Sequence, residues 1–316
     1  MPRLNIPLRA FHQLLKPRNL YQEKMSTASI FTPSCSSSMS TPDASDSLYT
    51  ARVQFDPTDG KECKKMELDA VYQDTLPSGC ALGTVLAIHG SPGSHIDFKY
   101  ITPLLVKKGI RVIAVNFPGF GHSEDHIDLN QDNLERNCFV QALIDGLPLR
   151  ERIVFLGHSR GADNAIKLSA RNIDRTIGTV LVNPMGLRVN KAIRPLYVLT
   201  AVRWVYDKFP FLRRIMEYVL FKSYMTLVGL KLTSGRIAIN SLKSMSRTSL
   251  GKQQPYMERI LDHPHIRVLF MYTCTDFLVE KEISREFAET IKNRKHFNVN
   301  TKNDEEDKEV AEVVKK

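Results

Sequence analysis

Short runs of apolar residues, rich in Val and Ile, recur along the chain and alternate with segments of helical periodicity. Apolar runs without polar alternation are typical of strands buried on both faces, as in a parallel sheet covered by helices. The predicted buried strands are Thr84–Ile88, Arg111–Val115, Arg152–Leu156, Ile177–Val182 and Ile266–Tyr272. The predicted helices cover Phe98–Lys108, Gln131–Asp145, Gly161–Arg171 and Val279–Asn293.

Edge strands are expected at both ends of this series. Thr50–Phe55 and Met66–Thr75 are expected to pair antiparallel, and His296–Val299 is expected to be the last strand. Residues 185–264 interrupt the alternation, are helical in character and are rich in aromatic residues. An insertion of this length between two strands predicts a helical lid over one end of the sheet. The pattern therefore predicts an α/β fold, a mostly parallel sheet with helices on both faces and a helical lid insertion.

The two ends of the chain differ in composition from its middle. Residues 1–42 hold five Lys or Arg, one Glu and a Ser-rich run, which is typical of either a disordered tail or a mitochondrial transit peptide. Residues 303–316 are acid-rich, and we expect a surface helix there. We expect an intracellular protein, cytoplasmic or mitochondrial. The predicted parts are a disordered or targeting segment (1–48), the core (49–184 and 265–300), the lid (185–264) and an acidic tail (301–316).

Composition and charge narrow the class of protein. The 316 residues are 42% hydrophobic and 25% charged, values close to the globular average that exclude a disordered chain, a fibre and a coiled coil. Five cysteines, an odd number without a C-x-x-C pair, indicate reduced thiols and no zinc site, and no metal or organic cofactor is expected. The net charge of +10 equals that of residues 186–262, which hold 14 Lys and Arg but 4 Asp and Glu.

This basic segment has two readings. It could contact an anionic membrane surface or steer an anionic acyl substrate. Alternatively, it is an amphipathic lid whose apolar side covers a pocket while its Lys and Arg side chains stay solvated. No nucleic-acid recognition module is visible, so nucleic acid is not an expected partner.

The chemistry is carried by the pentapeptide Gly157-His158-Ser159-Arg160-Gly161, which lies between a predicted strand and a predicted helix. A turn this tight forces a strained backbone on Ser159, and only glycine fits two residues before and two residues after it. The serine hydroxyl is thereby presented at a helix N-terminus. The backbone N–H of Arg160 can then help to stabilise an oxyanion.

A second glycine-rich turn, His89-Gly90-Ser91-Pro92-Gly93, follows the first buried strand. Its backbone can bring the N–H of Ser91 to the same point. His89 and Gly90 are interpreted as supports of this loop rather than as catalytic groups. A third turn, residues 116–123, follows the next strand and suits a tight loop beside the site.

These three turns, in this order and spacing, resemble the α/β-hydrolase superfamily in its esterase, lipase and peptidase branches. Within that superfamily the chain is similar to a group of predicted hydrolases of the DUF1057 type. The resemblance covers roughly residues 50–295. It implies an eight-stranded, mostly parallel sheet, a nucleophile at Ser159 and a lid after the sixth strand. A serine at this position separates the chain from the epoxide-hydrolase and dehalogenase branches.

The family order of nucleophile, acid and histidine points to Asp276 as the acid, since it lies just past a predicted strand. The alternative is that Asp276 caps a helix. His296 is the histidine that follows Asp276, but it precedes the last predicted strand instead of following it. His263 and His265 come one strand too early, His158 points away from the site in this family, and His122 could reach it.

Two functional hypotheses follow. The first is a serine hydrolase of the esterase or lipase type that acts on a small acyl ester through Ser159, in a form that is complete or truncated before its histidine. The second is a catalytically inactive α/β-hydrolase-fold protein with a binding or regulatory role.

Overall fold

The computed structural model describes residues 47–60, 65–80, 82–149, 152–292, 295–299 and 311–315. These residues all belong to one compact unit that begins at Pro42. The predictions for the N-terminal segment therefore lie outside the described residues, except at positions 47 and 48. Most of the predicted acidic tail, residues 301–310, is also outside them.

A single sheet in the described part of the chain contains nine strands in the order β1-β2-β4-β3-β5-β6-β7-β9-β8. The strands are β1 Leu48–Phe55, β2 Met66–Asp74, β3 Thr84–Ile88, β4 Arg111–Val115, β5 Ile153–His158, β6 Thr176–Val182, β7 Arg267–Thr273, β8 Lys295–Val299 and β9 Ala311–Lys315. The five central strands, β4-β3-β5-β6-β7, are parallel, and the flanking pairs β1–β2, β2–β4, β7–β9 and β9–β8 are antiparallel. The predicted parallel core and the antiparallel edge pair are confirmed.

The prediction for the C-terminal residues was wrong in one respect. Residues 311–315 form strand β9 instead of continuing a surface helix, and the described sheet therefore has nine strands instead of eight. The strand lies between β7 and β8 and pairs along its whole length with both neighbours. Five residues are too few for a stable isolated helix, whereas two ladders satisfy the backbone N–H and C=O groups on both edges.

Helices cover both faces of this sheet. They are α1 Thr102–Val106, α2 Asn133–Gly146, α3 Gly161–Arg171, α4 Leu196–Lys208, α5 Arg213–Ser223, α6 Gly235–Ser246, α7 Gln254–Leu261 and α8 Lys281–Glu289. The helix predicted over residues 98–108 is divided into a 3-10 turn, His95–Phe98, and α1, which starts with Pro103 in its first turn. Strand β3 is fully buried, and its alternate side chains belong to two different apolar clusters, one on each face.

The segment between β6 and β7, residues 183–266, is here called the insertion segment. Its helices α4 and α5 pack on α6 through a small apolar cluster around Tyr206, Ile239 and Leu242. Helix α7 differs, because Met257 and Ile260 belong to the main apolar core and α7 packs against α3. The predicted lid residues therefore comprise a separate layer, α4 to α6, and a helix of the core. Within the described residues no helix is long and apolar enough to cross a membrane.

Candidate active site

Ser159 occupies the turn between β5 and α3, and its backbone is strained. Its φ of 51° lies in the left-handed region, which non-glycine residues adopt at a cost of about 1–3 kcal/mol. The Ser159 N–H donates to Val182 O at 2.9 Å, and its C=O accepts from Ala162 N–H at 3.1 Å. These two bonds fix the turn, so that the sequence-based expectation of a strained serine agrees with the geometry.

Close packing on both sides of the turn explains the two glycines. A Cβ added to Gly157 would lie 2.6 Å from Ala162 Cα. A Cβ added to Gly161 would overlap the carbonyl oxygens of Ile88 and His89 at the end of β3. Neither neighbour is a flexible side chain that could move aside, so the turn as built requires glycine at both positions.

The loop after β3 lies against the serine. A Cβ added to Gly90 would be 3.1 Å from Ser159 Cβ, so the loop backbone approaches the serine side chain closely. The backbone N–H groups of Ser91 and Arg160 donate no hydrogen bond to any described residue. Both N–H groups are therefore free to donate to an anionic oxygen near Ser159, as an oxyanion site needs.

His89 holds this loop in place. The ring is fully buried, its Nδ1–H donates to Gly90 O at 2.8 Å, and its Nε2 accepts from Phe117 N–H at 3.1 Å. The carbonyl can only accept, which assigns the proton to Nδ1. Burial lowers the pKa of His89 to about 3. Through its two ring nitrogens His89 therefore connects the loop after β3 with Phe117 of the loop after β4.

Asp276 lies beyond the end of β7. Its Oδ1 accepts from Leu278 N–H at 2.7 Å and from Val279 N–H at 3.1 Å, which is the turn-capping arrangement considered from the sequence. Its Oδ2 has no hydrogen-bond partner among the described residues. One oxygen thus fixes the carboxylate while the other is free to orient a further group.

The structure does not bring His296 to Ser159. His296 lies on β8 and is paired with Val314 of β9, which in turn is paired with Phe270 of β7. Strand β8 is four positions from β5 in the sheet, a lateral separation of about 19 Å at about 4.8 Å per strand. That distance is beyond the reach of an imidazole.

The other histidines that were considered also make no hydrogen bond to Ser159. His263 and His265 precede β7 and therefore lie at the opposite end of the parallel strands from Ser159. His158 Nδ1 is 3.9 Å from Asp97 Oδ2, and the exposed His122 ring is 6.0 Å from the ring of His95. Within the described part of the chain no histidine hydrogen-bonds to Ser159 Oγ.

Helix α6 approaches the site from the insertion segment, which sequence reasoning had not resolved to particular residues. Ser91 Oγ donates to Ser241 Oγ at 3.3 Å, and Tyr224 O–H donates to the same oxygen at 3.5 Å. The buried Arg160 side chain donates from Nε to Ser244 O at 3.3 Å. Both residues that offer a free backbone N–H are therefore also in contact with α6.

A second buried arginine strengthens the attachment of α6. Arg136 donates from Nη1 to Ser244 Oγ at 2.7 Å, and its guanidinium lies 3.6 Å from the centre of the Phe117 ring. Lys243 donates from Nζ to the carbonyl oxygens of Ile127 and Leu129, at 3.3 and 3.1 Å. Burial lowers the pKa of Arg136, Arg160 and Lys243. These cations are bound mainly to neutral oxygens, so α6 is fixed by desolvated hydrogen bonds.

Arg236, at the start of α6, links three parts of the molecule. It donates from Nη2 to Asp125 Oδ2 at 2.6 Å, in the loop after β4, and from Nη1 to Tyr206 O–H of α4 at 2.8 Å. Tyr206 O–H donates in turn to Glu217 Oε1 of α5 at 2.6 Å.

The described residues contain no group of three or more His, Cys, Asp or Glu side chains placed to hold a metal ion.

A parallel sheet flanked by helices, with a strained serine on the turn after its central strand, defines an α/β hydrolase. A family model described as "Alpha/beta hydrolase of unknown function (DUF1057)" matches residues 47–315. The chain belongs to this family, and the resemblance drawn from its three turns is confirmed.

Individual proteins agree with this assignment. The chain is 28% identical over 272 residues to an uncharacterised protein of Caenorhabditis elegans, covering 84% of this chain and 76% of that protein. An esterase from Exiguobacterium antarcticum has a TM-score of 0.51 at 16% identity, over 77% of this chain and 88% of the esterase. A haloalkane dehalogenase from Agrobacterium tumefaciens has a TM-score of 0.53 at 18% identity, over 80% and 89% of the two chains. At these identities the two solved structures show the fold alone.

Proposed function

We propose that the protein is a serine hydrolase of the esterase or lipase type, with Ser159 as the nucleophile. The observation that carries this proposal is the left-handed backbone of Ser159, held between two glycines that cannot be replaced without overlap. Backbone strain of this kind persists only where the surrounding structure enforces it, and it presents the hydroxyl at the edge of the sheet. A simple loop serine has no need of such a turn.

The proposed reaction is acyl transfer to Ser159. Ser159 Oγ attacks the ester carbonyl carbon, and the N–H groups of Ser91 and Arg160 stabilise the tetrahedral oxyanion. The imidazole that accepts the Ser159 proton passes it to the leaving alcohol, and water then hydrolyses the acyl-enzyme, which releases the acid and regenerates Ser159. The free Oδ2 of Asp276 would orient the imidazole that accepts the serine proton. His296 has no part in this proposal because of its distance from β5.

One observation favours a second candidate, a binding or regulatory protein without hydrolase activity. Ser159 Oγ has no histidine partner among the described residues, and a serine hydroxyl without a base is a weak nucleophile. Loss of one member of such a triad lowers the rate by several orders of magnitude.

Labelling of the purified full chain with a fluorophosphonate probe separates the two candidates. We expect a covalent adduct on Ser159, detected by mass spectrometry, that is absent from Ser159→Ala. Ser78→Ala is the matched control, because Ser78 is an exposed loop serine between β2 and β3, and it should label like the parent chain. A folded parent chain that remains unlabelled would contradict the hydrolase proposal and support the binding protein.

The outer surface of α4, α5 and the turn that follows them suggests where the substrate comes from. Large apolar side chains are exposed there, and Phe211 and Leu227 are 76% and 84% accessible. We call this surface the exposed apolar face; its other members include Tyr197, Trp204, Ile215, Tyr218 and Val219. Several large apolar side chains exposed on consecutive helices are typical of a site that docks on another apolar phase.

Cations surround the exposed apolar face. Lys208, Arg214 and Lys222 are exposed, and none forms an ion pair with a described residue. Aromatic and aliphatic side chains beside unpaired cations are characteristic of helices that lie in the interface of an anionic bilayer. We therefore propose that the protein docks on anionic membranes and acts on lipid esters there.

Vesicle flotation tests the docking proposal. We expect the chain to bind phosphatidylcholine vesicles that contain phosphatidylglycerol, and to bind pure phosphatidylcholine vesicles weakly. The double variant Phe211→Ser/Leu227→Ser should lose binding, whereas Tyr100→Ser, which removes an equally exposed aromatic ring next to α1, should retain it. Equal binding to both vesicles, insensitive to salt, would exclude this mode of docking.

A further inference from the structure

A cavity of about 880 Å³ lies away from Ser159, beside the second half of α3. Its walls come from α2, α3, α7 and the connection between α6 and α7. None of the residues proposed for the hydrolase chemistry lines it. The size falls within the range of cavities that hold small organic ligands.

Positive charge dominates the lining of this cavity. Five Lys or Arg side chains line it with two carboxylates, which are Lys167, Arg171, Arg247, Lys252, Arg259, Asp59 and Asp132. Arg171 pairs with Asp59 at 3.5 Å, and Arg247 pairs with Asp207 at 3.6 Å. No ion pair joins the remaining three cations, Lys167, Lys252 and Arg259, to a described acid.

Lys167 is the least solvated of these three cations. Its ammonium lies 5.7 Å from the centre of the Tyr256 ring. Burial lowers the pKa of Lys167; the charges of Asp163 and Asp132 oppose this shift, and the charges of Arg160 and Lys252 reinforce it. Like charges that converge on a partly desolvated wall repel one another, and a bound anion would relieve that repulsion.

Neutral donors in the lining also lack partners. Thr248 Oγ1 is buried and has no hydrogen bond within the described residues. The Asn137 side chain accepts from Asn164 Nδ2 at 2.8 Å, but its own amide nitrogen has no acceptor among the described residues. A buried hydroxyl without a partner is costly, so an unpaired Thr248 beside unpaired cations points to an acceptor-rich ligand.

We propose that this cavity binds an organic phosphate, a phosphate group carried on an apolar moiety. A phosphate monoester bears a charge of about −1.5 to −2 at pH 7 and offers three strong acceptor oxygens, which suits three unpaired cations and two unpaired neutral donors. Leu134, Leu168, Leu250 and the Tyr256 ring provide apolar wall for the remainder of the ligand. This second site is independent of the chemistry proposed at Ser159.

Isothermal titration of the full chain with octyl phosphate tests the proposal. Octyl phosphate has no carboxylic ester, so its binding does not depend on hydrolysis at Ser159. Inorganic phosphate and octyl glucoside are the control ligands, and they test the phosphate group and the octyl group separately. We expect octyl phosphate to bind at least about tenfold more tightly than octyl glucoside, with an affinity that falls as salt is added. Inorganic phosphate that binds as tightly as octyl phosphate would overturn the assignment to an organic phosphate, because the octyl group would then add nothing to binding.

Variants identify the cavity as the location of binding. Lys167→Gln/Lys252→Gln should weaken octyl phosphate binding at least about tenfold. Lys107→Gln/Lys108→Gln, which removes two exposed cations next to α1, should leave it unchanged. The single variant Lys252→Gln, at an exposed position that does not endanger folding, should weaken binding in the same direction. Equal binding of octyl phosphate and octyl glucoside would overturn the proposal. Unchanged affinity for octyl phosphate in both Lys167→Gln/Lys252→Gln and Lys252→Gln would also overturn it.

Discussion

Replacement of Ser159 by glycine removes the proposed nucleophile, and the resulting variant should be more stable than Ser159→Ala, which removes the same hydroxyl. The reason is the φ of 51° at Ser159, which a side chain makes unfavourable by about 1–3 kcal/mol and which glycine adopts freely. Glycine also gains freedom in the unfolded chain, which costs about 0.5–1 kcal/mol. The net gain of Ser159→Gly over Ser159→Ala is therefore about 1 kcal/mol, since alanine keeps the strain.

The comparison of two variants isolates the backbone term. Both lack the hydroxyl, and both should be free of fluorophosphonate label, so they differ in the Cβ alone. In a two-state thermal melt about 1 kcal/mol corresponds to a rise of about 2–4 °C for a domain of this size. Urea titration followed by circular dichroism gives the same difference from the midpoint at constant slope.

A matched pair at an ordinary position should give the opposite sign. Ser78 is an exposed loop serine without a positive φ, so Ser78→Gly should be less stable than Ser78→Ala. If Ser159→Gly proved equal to or less stable than Ser159→Ala, the strain assigned to this turn would be refuted. The main structural argument for Ser159 as nucleophile would fail with it.

Three further predictions concern the surroundings of the turn and the sheet. Gly161→Ala should destabilise the fold by about 1–3 kcal/mol in urea titration and abolish labelling, because the new Cβ overlaps the carbonyls of Ile88 and His89. Asp74→Asn should cost about 3–5 kcal/mol in the same titration, since Asp74 and Arg111 form an ion pair of 2.7 Å with both side chains at most 2% exposed. Burial lowers the pKa of His89 to about 3, so the folded protein keeps this ring neutral where the unfolded chain would protonate it. The stability present above pH 6.5 should therefore be lost as pH falls from 6.5 towards 3, at about 1.4 kcal/mol per pH unit. His89→Gln should therefore show a shallower loss of stability than the parent chain over that range.

The central sheet was predictable from the sequence because β3 and β4 are buried at every residue, and β5 and β6 at most of theirs. Burial on both faces leaves a continuous apolar run with sharp ends, and β4 was predicted with the bounds that it has in the structure. Strand β9 was not predictable in this way. Its segment, AEVVK, is short and charged, and what makes it a strand is pairing with β7 and β8.

In the candidate site, too, local features were predictable from the sequence and long-range contacts were not. The turn at Ser159 could be predicted because the residues that force its geometry, Gly157 and Gly161, lie within two positions of it. The contacts of α6 could not, since Arg160 and Arg136 reach Ser244 across 84 and 108 residues. No local pattern of hydrophobic or polar positions encodes such a pairing.

The anchoring of α6 has a consequence for access to Ser159. Arg136, Arg160 and Lys243 tie this helix to the core by buried hydrogen bonds, so its displacement would leave desolvated cations without partners. Helices α4 and α5 pack on α6 mainly through the cluster around Tyr206 and through Arg236, whose side chain is 33% exposed. In any opening over Ser159, α6 would therefore stay in place, and α4 with α5 would be the part that moves. In the proposed hydrolase, access of a substrate to Ser159 would then depend on the separation of α4 and α5 from α6, which breaks the contacts of the buried Tyr206 side chain.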